Sequence, residues 1–308
     1  MRFAVFASTS MFFCLITGCG DDAPPGPDPS PVLSVGTLSE PTGLRADYSC
    51  LGTDVAPTAG PVVPFILNMS DYRINTPAPN VNIEIFLSNT IAPTCVAPDC
   101  VSGVTDAGGR LEMMAPSLAW FAIRNLPRAG ATASESIVGS VGFNVPGPPT
   151  EPPTGMPTAI VSVASISQAT LDLIPLAVGF PRTPGTAILA GAVRDCMKRF
   201  VYGATVRVFD ADGNELVEGT SPGEPHTRYF NGEGFPNAMQ PYTHVDGAFA
   251  VIELTPTEDR PVRIEVYGRL AAGEEPRLVS CEQAYLYADD VTLMQLRPLR
   301  ADGPACSM

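Results

Sequence analysis

Apolar and polar residues alternate with a period of two along much of the chain. In the run from Val81 to Leu87 every odd position is aliphatic, and Val262 to Val266 repeats the pattern with charged residues between the aliphatic ones. This alternation is typical of β-strands that bury one face. Related runs predict further strands at 62–68, 118–124, 137–144, 159–165, 187–194, 206–208, 248–254, 278–286 and 291–297.

Short strands and acidic-glycine turns together favour β-sandwiches. Turn residues lie at 106–109, 210–214 and 246–247, between predicted strands. One segment favours a helix: Ser167 can cap a turn or two that begins at Gln168 and ends before Pro175. The predicted fold is all-β, with two antiparallel immunoglobulin-like sandwich domains and a short connecting helix.

An internal repeat supports two similar domains. The run 81–86 aligns with 204–209, and each copy is followed by an acidic-glycine turn that leads into a strand. The proline-rich stretch 146–157 is interpreted as an excursion within the first domain. The predicted divisions are a signal peptide at 1–18, a disordered tether at 19–32, a first sandwich at 33–166, a helix and linker at 167–183, and a second sandwich at 184–308.

The N-terminus predicts export. The apolar run 4–16 is shorter than the ~20 residues that span a bilayer, which is typical of a secretory signal. Ile16-Thr17-Gly18-Cys19 resembles the lipobox of bacterial lipoproteins, and the resemblance implies that Cys19 carries lipid and becomes the first mature residue. Gly20 in that family favours the outer membrane. The alternative is an ordinary secretory signal in which Cys19 is incidental.

Charge narrows the choice of partners. The formal net charge is −14, and the longest basic run is Lys198-Arg199, so nucleic acid binding is disfavoured. The 33 prolines and 28 glycines favour turns over long helices. The proline, glycine and aspartate of 20–31 favour an extended tether between the lipid and the folded part.

Six cysteines follow Cys19, and an even number in an exported chain predicts disulfides. Among 15 possible pairings, we expect a local bond between Cys95 and Cys100. The other expected bonds join Cys196 to Cys281 and Cys50 to Cys306. A zinc site is the alternative, but the sequence has no CxxC motif and its two histidines are remote from the cysteines.

The second half is similar to carboxypeptidase regulatory-like domains. The similarity lies in the runs 191–196, 201–209 and 243–249, which match a Gly-led first strand, a G-A-x-V-x-V strand and a turn before a final Gly-x-Phe. The stretch 167–196 also resembles bacterial lipoproteins that carry such domains in tandem. The resemblance covers 184–300 well and 60–125 weakly. It implies transthyretin-like (prealbumin-like) sandwiches, which are usually noncatalytic accessory modules.

The chain carries no recognisable catalytic motif, so we expect no enzyme, no cofactor and no metal. The run 210–215 hints at a calcium loop, but its glycine comes too early and a hairpin turn is expected.

The insertion 215–244 is the best binding candidate, because long loops on sandwiches often carry recognition. Aromatic and polar residues there could hold a sugar ring or a peptide; the alternative is that they pack the loop onto the sheet. The candidate residues are His226, Arg228, Tyr229, Phe230, Tyr242 and His244. A remote alternative is an iron site of the intradiol dioxygenase type, which uses two tyrosines and two histidines. We expect a noncatalytic role at the cell envelope, either structural or in binding a partner, and the expected partner is a glycan or an envelope protein.

Overall fold

The computed structural model describes residues 46–72, 76–126, 137–172, 182–231, 236–257, 259–271, 274–304 and 306, together with the backbone of 32–33. The predicted signal peptide, lipid-bearing Cys19 and residues 20–31 of the tether lie outside the described residues.

The described residues form seventeen strands, numbered in chain order. They are β1 (Val32–Leu33), β2 (Val62–Asp71), β3 (Asn82–Phe86), β4 (Cys100–Val104), β5 (Arg110–Pro116), β6 (Trp120–Leu126), β7 (Ser140–Pro146), β8 (Ala159–Ser165), β9 (Ala187–Val193), β10 (Val201–Tyr202), β11 (Thr205–Phe209), β12 (His226–Phe230), β13 (Pro236–Asn237), β14 (Ala248–Leu254), β15 (Val262–Gly268), β16 (Arg277–Ala284) and β17 (Val291–Leu296).

The strands form one large sheet and two small ones, besides the β1–β10 pair. The large sheet has nine strands in the order β13-β12-β14-β9-β17-β7-β6-β3-β4, and the small sheets have the orders β5-β2-β8 and β11-β15-β16. The prediction of an all-β sandwich is confirmed. Most neighbours are antiparallel, but β8 is parallel to β2, and β17 is parallel to both β7 and β9.

The two small sheets cover opposite faces of the large sheet. Ile123 of β6 belongs to the core under β5-β2-β8, whereas its neighbour Ala122 belongs to the core that includes β15 and β16. Adjacent residues of a strand point to opposite faces, so the two cores lie on opposite sides. The result is two sandwiches that share their central sheet.

Strand β17 joins the two sandwiches. It lies between β7, from the predicted first sandwich (33–166), and β9, from the predicted second (184–308). Met294 of β17 is opposite Phe143 on one side and Gly191 on the other. Because the ranges 33–166 and 184–308 share a sheet, the division into two domains stays a prediction.

The connecting helix begins where the sequence indicates. The backbone N–H of Thr170 donates to Ser167 Oγ at 3.3 Å, as an N-cap does, and helix is described from 168 to 172. Leu171 is buried beside Ile188 and Val291 at the junction of the sandwiches. The remainder of the predicted helix and linker up to 181 lies outside the described residues.

Six of the described strands escaped the sequence analysis: β1, β4, β5, β10, β12 and β13. Strand β5 alternates as expected, but it ends in Pro116 and has an exposed outer face, so its apolar signal is weak. Strand β12 reads as loop because four of its five residues are polar or carry a polar group, although four of the five are buried.

Two of the three expected disulfide pairings are wrong. The Cys95–Cys100 bond is confirmed, but Cys50 pairs with Cys196, and Cys281 pairs with Cys306. The cause is the path of the first described segment: Cys196 N–H donates to Asp47 O at 2.8 Å, which places Cys50 beside the turn after β9. The linear sequence carries no signal of that contact.

The same segment also holds the end of the chain. Gly52 N–H donates to Leu299 O at 2.7 Å, and Ala301 N–H donates to Asp54 O at 2.8 Å. The beginning and the end of the described fold therefore lie side by side, next to the ends of β9 and β17.

The disulfides should differ in their effect on stability. On the chain-entropy model, losing the bond across 146 residues (Cys50→Ser with Cys196→Ser) should cost about 5 kcal/mol, and losing the bond across 5 residues (Cys95→Ser with Cys100→Ser) only about 2 kcal/mol. Guanidinium unfolding under oxidising conditions measures both. Equal losses would contradict the assignment of Cys50 to Cys196.

Candidate functional site

The predicted binding insertion 215–244 is largely part of the sheet. Residues 226–230 form β12, which pairs with β14, and 236–237 form β13 at the sheet edge. Residues 232–235 lie outside the described residues. Residues 226–230 and 236–237 extend the nine-stranded sheet, which corrects the expectation of one free recognition loop.

His226 and Arg228 hold the loop before β12. His226 is fully buried, with Nδ1 3.1 Å from Glu218 Oε1 and Nε2 3.1 Å from Ser221 O. Arg228 donates to the same Glu218 oxygen at 2.6 Å. Burial acts to raise the pKa of Glu218, but hydrogen bonds from Arg228, Thr227 and His226 outweigh burial and lower that pKa. The two side chains serve this ion-pair network.

Tyr229 and Phe230 are also interior. The Tyr229 hydroxyl accepts a hydrogen bond from Val206 N–H at 2.8 Å across the sandwich core, and burial raises the pKa of Tyr229 to about 12. Phe230 points to the opposite face, where it packs with Ala192, Ala248 and Ala250. Neither ring is free to stack on a ligand.

Tyr242 and His244 remain partly exposed, and the structure adds Tyr202 to them. The Tyr202 ring centroid lies 5.8 Å from that of Tyr242 and 4.9 Å from that of His244. We call Tyr202, Tyr242 and His244 the aromatic cluster. Sequence analysis missed Tyr202 because β10 is 42 residues away from His244, although its outward position beside Val201 was a usable signal.

Thr243 positions the aromatic cluster. It is buried, its hydroxyl donates to Val201 O at 2.7 Å, and that hydroxyl accepts from Ala204 N–H at 2.9 Å. Its neighbours Tyr242 and His244 are thereby held beside β10. Burial lowers the pKa of His244 and, together with the nearby Tyr202, raises the pKa of Tyr242. The cluster presents three partly exposed rings.

The residues named for an iron site do not share a centre. His226 and Tyr229 lie on opposite faces of β12, and Tyr229 is bonded inside the core. In the part of the chain that the structure describes, no three His, Cys, Asp or Glu side chains are grouped as metal ligands.

The run 210–215 forms the expected hairpin turn. Phe209 bridges Glu215, and Asp210 Oδ1 accepts from the N–H groups of Asp212 and Asn214 at 2.9 and 2.8 Å. Hydrogen bonds from Asn214 lower the pKa of Asp210. Asp106 caps the turn before β5 in the same way. In both turns the aspartate carboxylate accepts hydrogen bonds from backbone N–H groups.

A buried carboxyl lies where the two sandwiches meet. Asp246 is 8% exposed, and burial raises its pKa to about 6, although its Oδ1 accepts from Ala248 N–H at 3.0 Å. Burial and the charge of Asp246 raise the pKa of Tyr72, which follows β2 of the first sandwich and packs on the second. The charge of Asp246 therefore affects the ionisation of Tyr72 at the junction of the two sandwiches.

Comparisons with known proteins give little. No family model matches the chain, and no curated protein matches it. A solved structure of a streptococcal ancillary pilin is 11% identical and matches over 77% of this chain and 62% of that chain, with a TM-score of 0.17. This chain thus spans less than two thirds of that structure, and a TM-score this low supports no argument. Among the described residues, no helix is both long and apolar enough to cross a bilayer.

Asp246 should make stability depend on pH. Its folded pKa of about 6 lies above the ordinary 3.8, so the folded state binds more protons between those values, and the free energy of unfolding should fall as pH rises through 6. Two pKa units correspond to at most about 3 kcal/mol. Asp246→Asn keeps the acceptor for Ala248 and should remove this part of the dependence. Urea unfolding at pH 4.5 and 7.5 measures it; identical profiles for both proteins would refute the assignment.

Proposed function

We propose that the protein is an exported lipoprotein, held at the cell envelope by lipid on Cys19, with a noncatalytic structural or interaction role. The lipobox-like run 16–19 supports the anchor. The observation that carries the proposal is the cysteine chemistry: all six cysteines after Cys19 are paired, including a bond across 146 residues. Such disulfides persist in oxidising compartments outside the cytoplasm. The lipobox family pattern at Gly20 supports the outer membrane.

The placement of the polar and aromatic side chains supports a noncatalytic role. His226, Arg228 and Tyr229 are engaged in the internal contacts described above. A catalytic base and a nucleophile in contact, open to a substrate, would be the sign of an enzyme. These three side chains instead fasten segments of the described fold to one another.

A second candidate role is carbohydrate binding at the aromatic cluster. The Tyr202 ring contacts the other two rings, and all three are partly exposed, so they form a surface on which a sugar ring can stack. Gln240 lies beside them, and its side-chain amide donates to Tyr242 O at 3.1 Å. This moves the candidate site from the whole 215–244 insertion to Tyr202, Tyr242 and His244. A peptide is the other ligand that such a surface fits.

Lipidation is tested by replacing the cysteine. The wild-type protein should incorporate radiolabelled fatty acid and sediment with membranes, whereas Cys19→Ser should do neither, because the acylated sulfur is lost. Cys14→Ser is the matched control, since it lies in the same leader and should leave labelling unchanged. Equal labelling of all three proteins, or of none, would contradict a lipid on Cys19.

Carbohydrate binding is tested on a glycan array. A hit should be weakened about tenfold or more by Tyr242→Ala, because one stacking ring is removed. Tyr267→Ala, on the other sheet, is the control and should bind normally. No hit, or equal loss in both variants, would rule out the aromatic cluster as a sugar site.

A further inference from the structure

One end of the first sandwich exposes four apolar side chains close together. Val62 is 60% exposed, Met114 53%, Leu118 43% and Met156 40%. Val62 of β2 pairs with Pro116 of β5. Two residues further along β2, Pro64 pairs with Met114 of β5. Phe65 of β2 pairs with Ala159, the first residue of β8, and the two strands are parallel. Val62 lies three residues before Phe65, and Met156 lies three residues before Ala159. Val62 and Met156 therefore lie at the same end of this strand pair. We call these four residues the apolar patch.

The segments around the apolar patch are almost uncharged. The stretches 57–64, 114–119 and 147–158 comprise 26 residues, and Glu151 is their single charged residue, whereas 16% of the whole chain is charged. With a net charge of −14, the remainder of the molecule is strongly acidic. The patch is therefore the face that can approach an apolar or negatively charged surface with the least desolvation and repulsion.

Leu118 adopts a backbone conformation that leucine disfavours. Its φ is 64°, in the left-handed region, and the hydrogen bond from Leu118 N–H to Pro148 O (2.8 Å) holds it there. Glycine would fit this position without strain, and asparagine with less strain than leucine. A leucine there also directs its side chain towards solvent, so packing does not compensate the strain. Such an outlier points to a role outside folding.

The lipid tether reaches the fold at the same end of the molecule. Strands β7 and β9 are both parallel to β17, so all three end at one edge of the large sheet. The apolar patch lies at the end of β7, and the Cys50–Cys196 bond fastens the first described segment just beyond the end of β9. The β1–β10 pair lies there too.

The turn after β9 adds two exposed residues to this end. Met197 is 65% exposed, and the neighbouring Lys198, also exposed, is the chain's one lysine. An apolar side chain beside an amine suits the boundary between lipid headgroups and acyl chains.

We propose that the apolar patch rests on the bilayer that holds the lipid of Cys19, an inference that rests on the proposed anchor. The 27 residues that follow Cys19, up to Ala46, reach at most ~90 Å, so the fold stays near the bilayer and the patch meets it at high effective concentration. Four aliphatic and thioether side chains then enter the headgroup region. The protein has a fixed orientation rather than hanging freely.

The proposal is tested with the mature lipidated protein in phosphatidylcholine vesicles that contain a lipid spin-labelled near its headgroup. A fluorophore on Met156→Cys should be quenched several-fold more than one on Val104→Cys. Val104 is 52% exposed and ends β4, at the opposite end of the sheet. Both probes are added after the native disulfides have formed.

A second variant separates binding from folding. Leu118→Asn should keep or raise the melting temperature, because asparagine tolerates the left-handed conformation, and should lower quenching at position 156 about fivefold, towards that at 104. Val104→Asn is the control and should leave quenching at 156 unchanged. A lower melting temperature with unchanged quenching would mean that Leu118 serves the fold, and would overturn the proposal.

The two hypotheses fail in different ways. A protein that leaves the vesicles altogether contradicts the lipid anchor. A protein that stays on the vesicles, but is quenched equally at 156 and 104, retains the anchor and contradicts the apolar patch as a membrane contact. Quenching at 156 alone, sensitive to Leu118→Asn, supports both.

Discussion

The parallel insertion of β17 between β7 and β9 is the constraint on which the molecule depends. The last strand of the chain pairs with one strand from each sandwich, so neither sandwich has a complete central sheet without it. Gly191 permits this approach, since a side chain there would collide with the Met294 carbonyl oxygen. Because β17 runs parallel to both neighbours, it also determines that β7 and β9 end on the same side.

Polar contacts lock the segment that follows β17. The guanidinium groups of Arg297 and Arg300 lie over the ring of Trp120, at the start of β6, at 4.9 and 4.4 Å from its centroid. Arg300 donates to Glu282 at 2.7 Å, and burial raises the pKa of that carboxyl. A buried ion pair of this kind is weak evidence for net stability. It fastens the segment after β17 to β16, and the Trp120 contacts fasten the same segment to β6.

The candidate site shows how the sheet selects among polar and aromatic residues. A five-residue strand places His226 and Arg228 on one face and Tyr229 on the other, which separates side chains that are close in sequence. The exposed rings come instead from β10 and from the turn before β14, where Thr243 fixes their spacing. The partly exposed rings therefore lie at strand ends rather than within β12.

The amino-acid sequence by itself determined the strands whose alternation is strong, the capped helix at Ser167, the hairpin at Asp210 and the local Cys95–Cys100 bond. These features depend on residues a few positions apart, which interact in any fold. Only the tertiary structure decided that Cys50 meets Cys196, that β12 is buried, that Tyr202 joins Tyr242, and that β17 unites the sandwiches. Those outcomes depend on which distant segments meet, and periodicity along the chain carries no record of that choice.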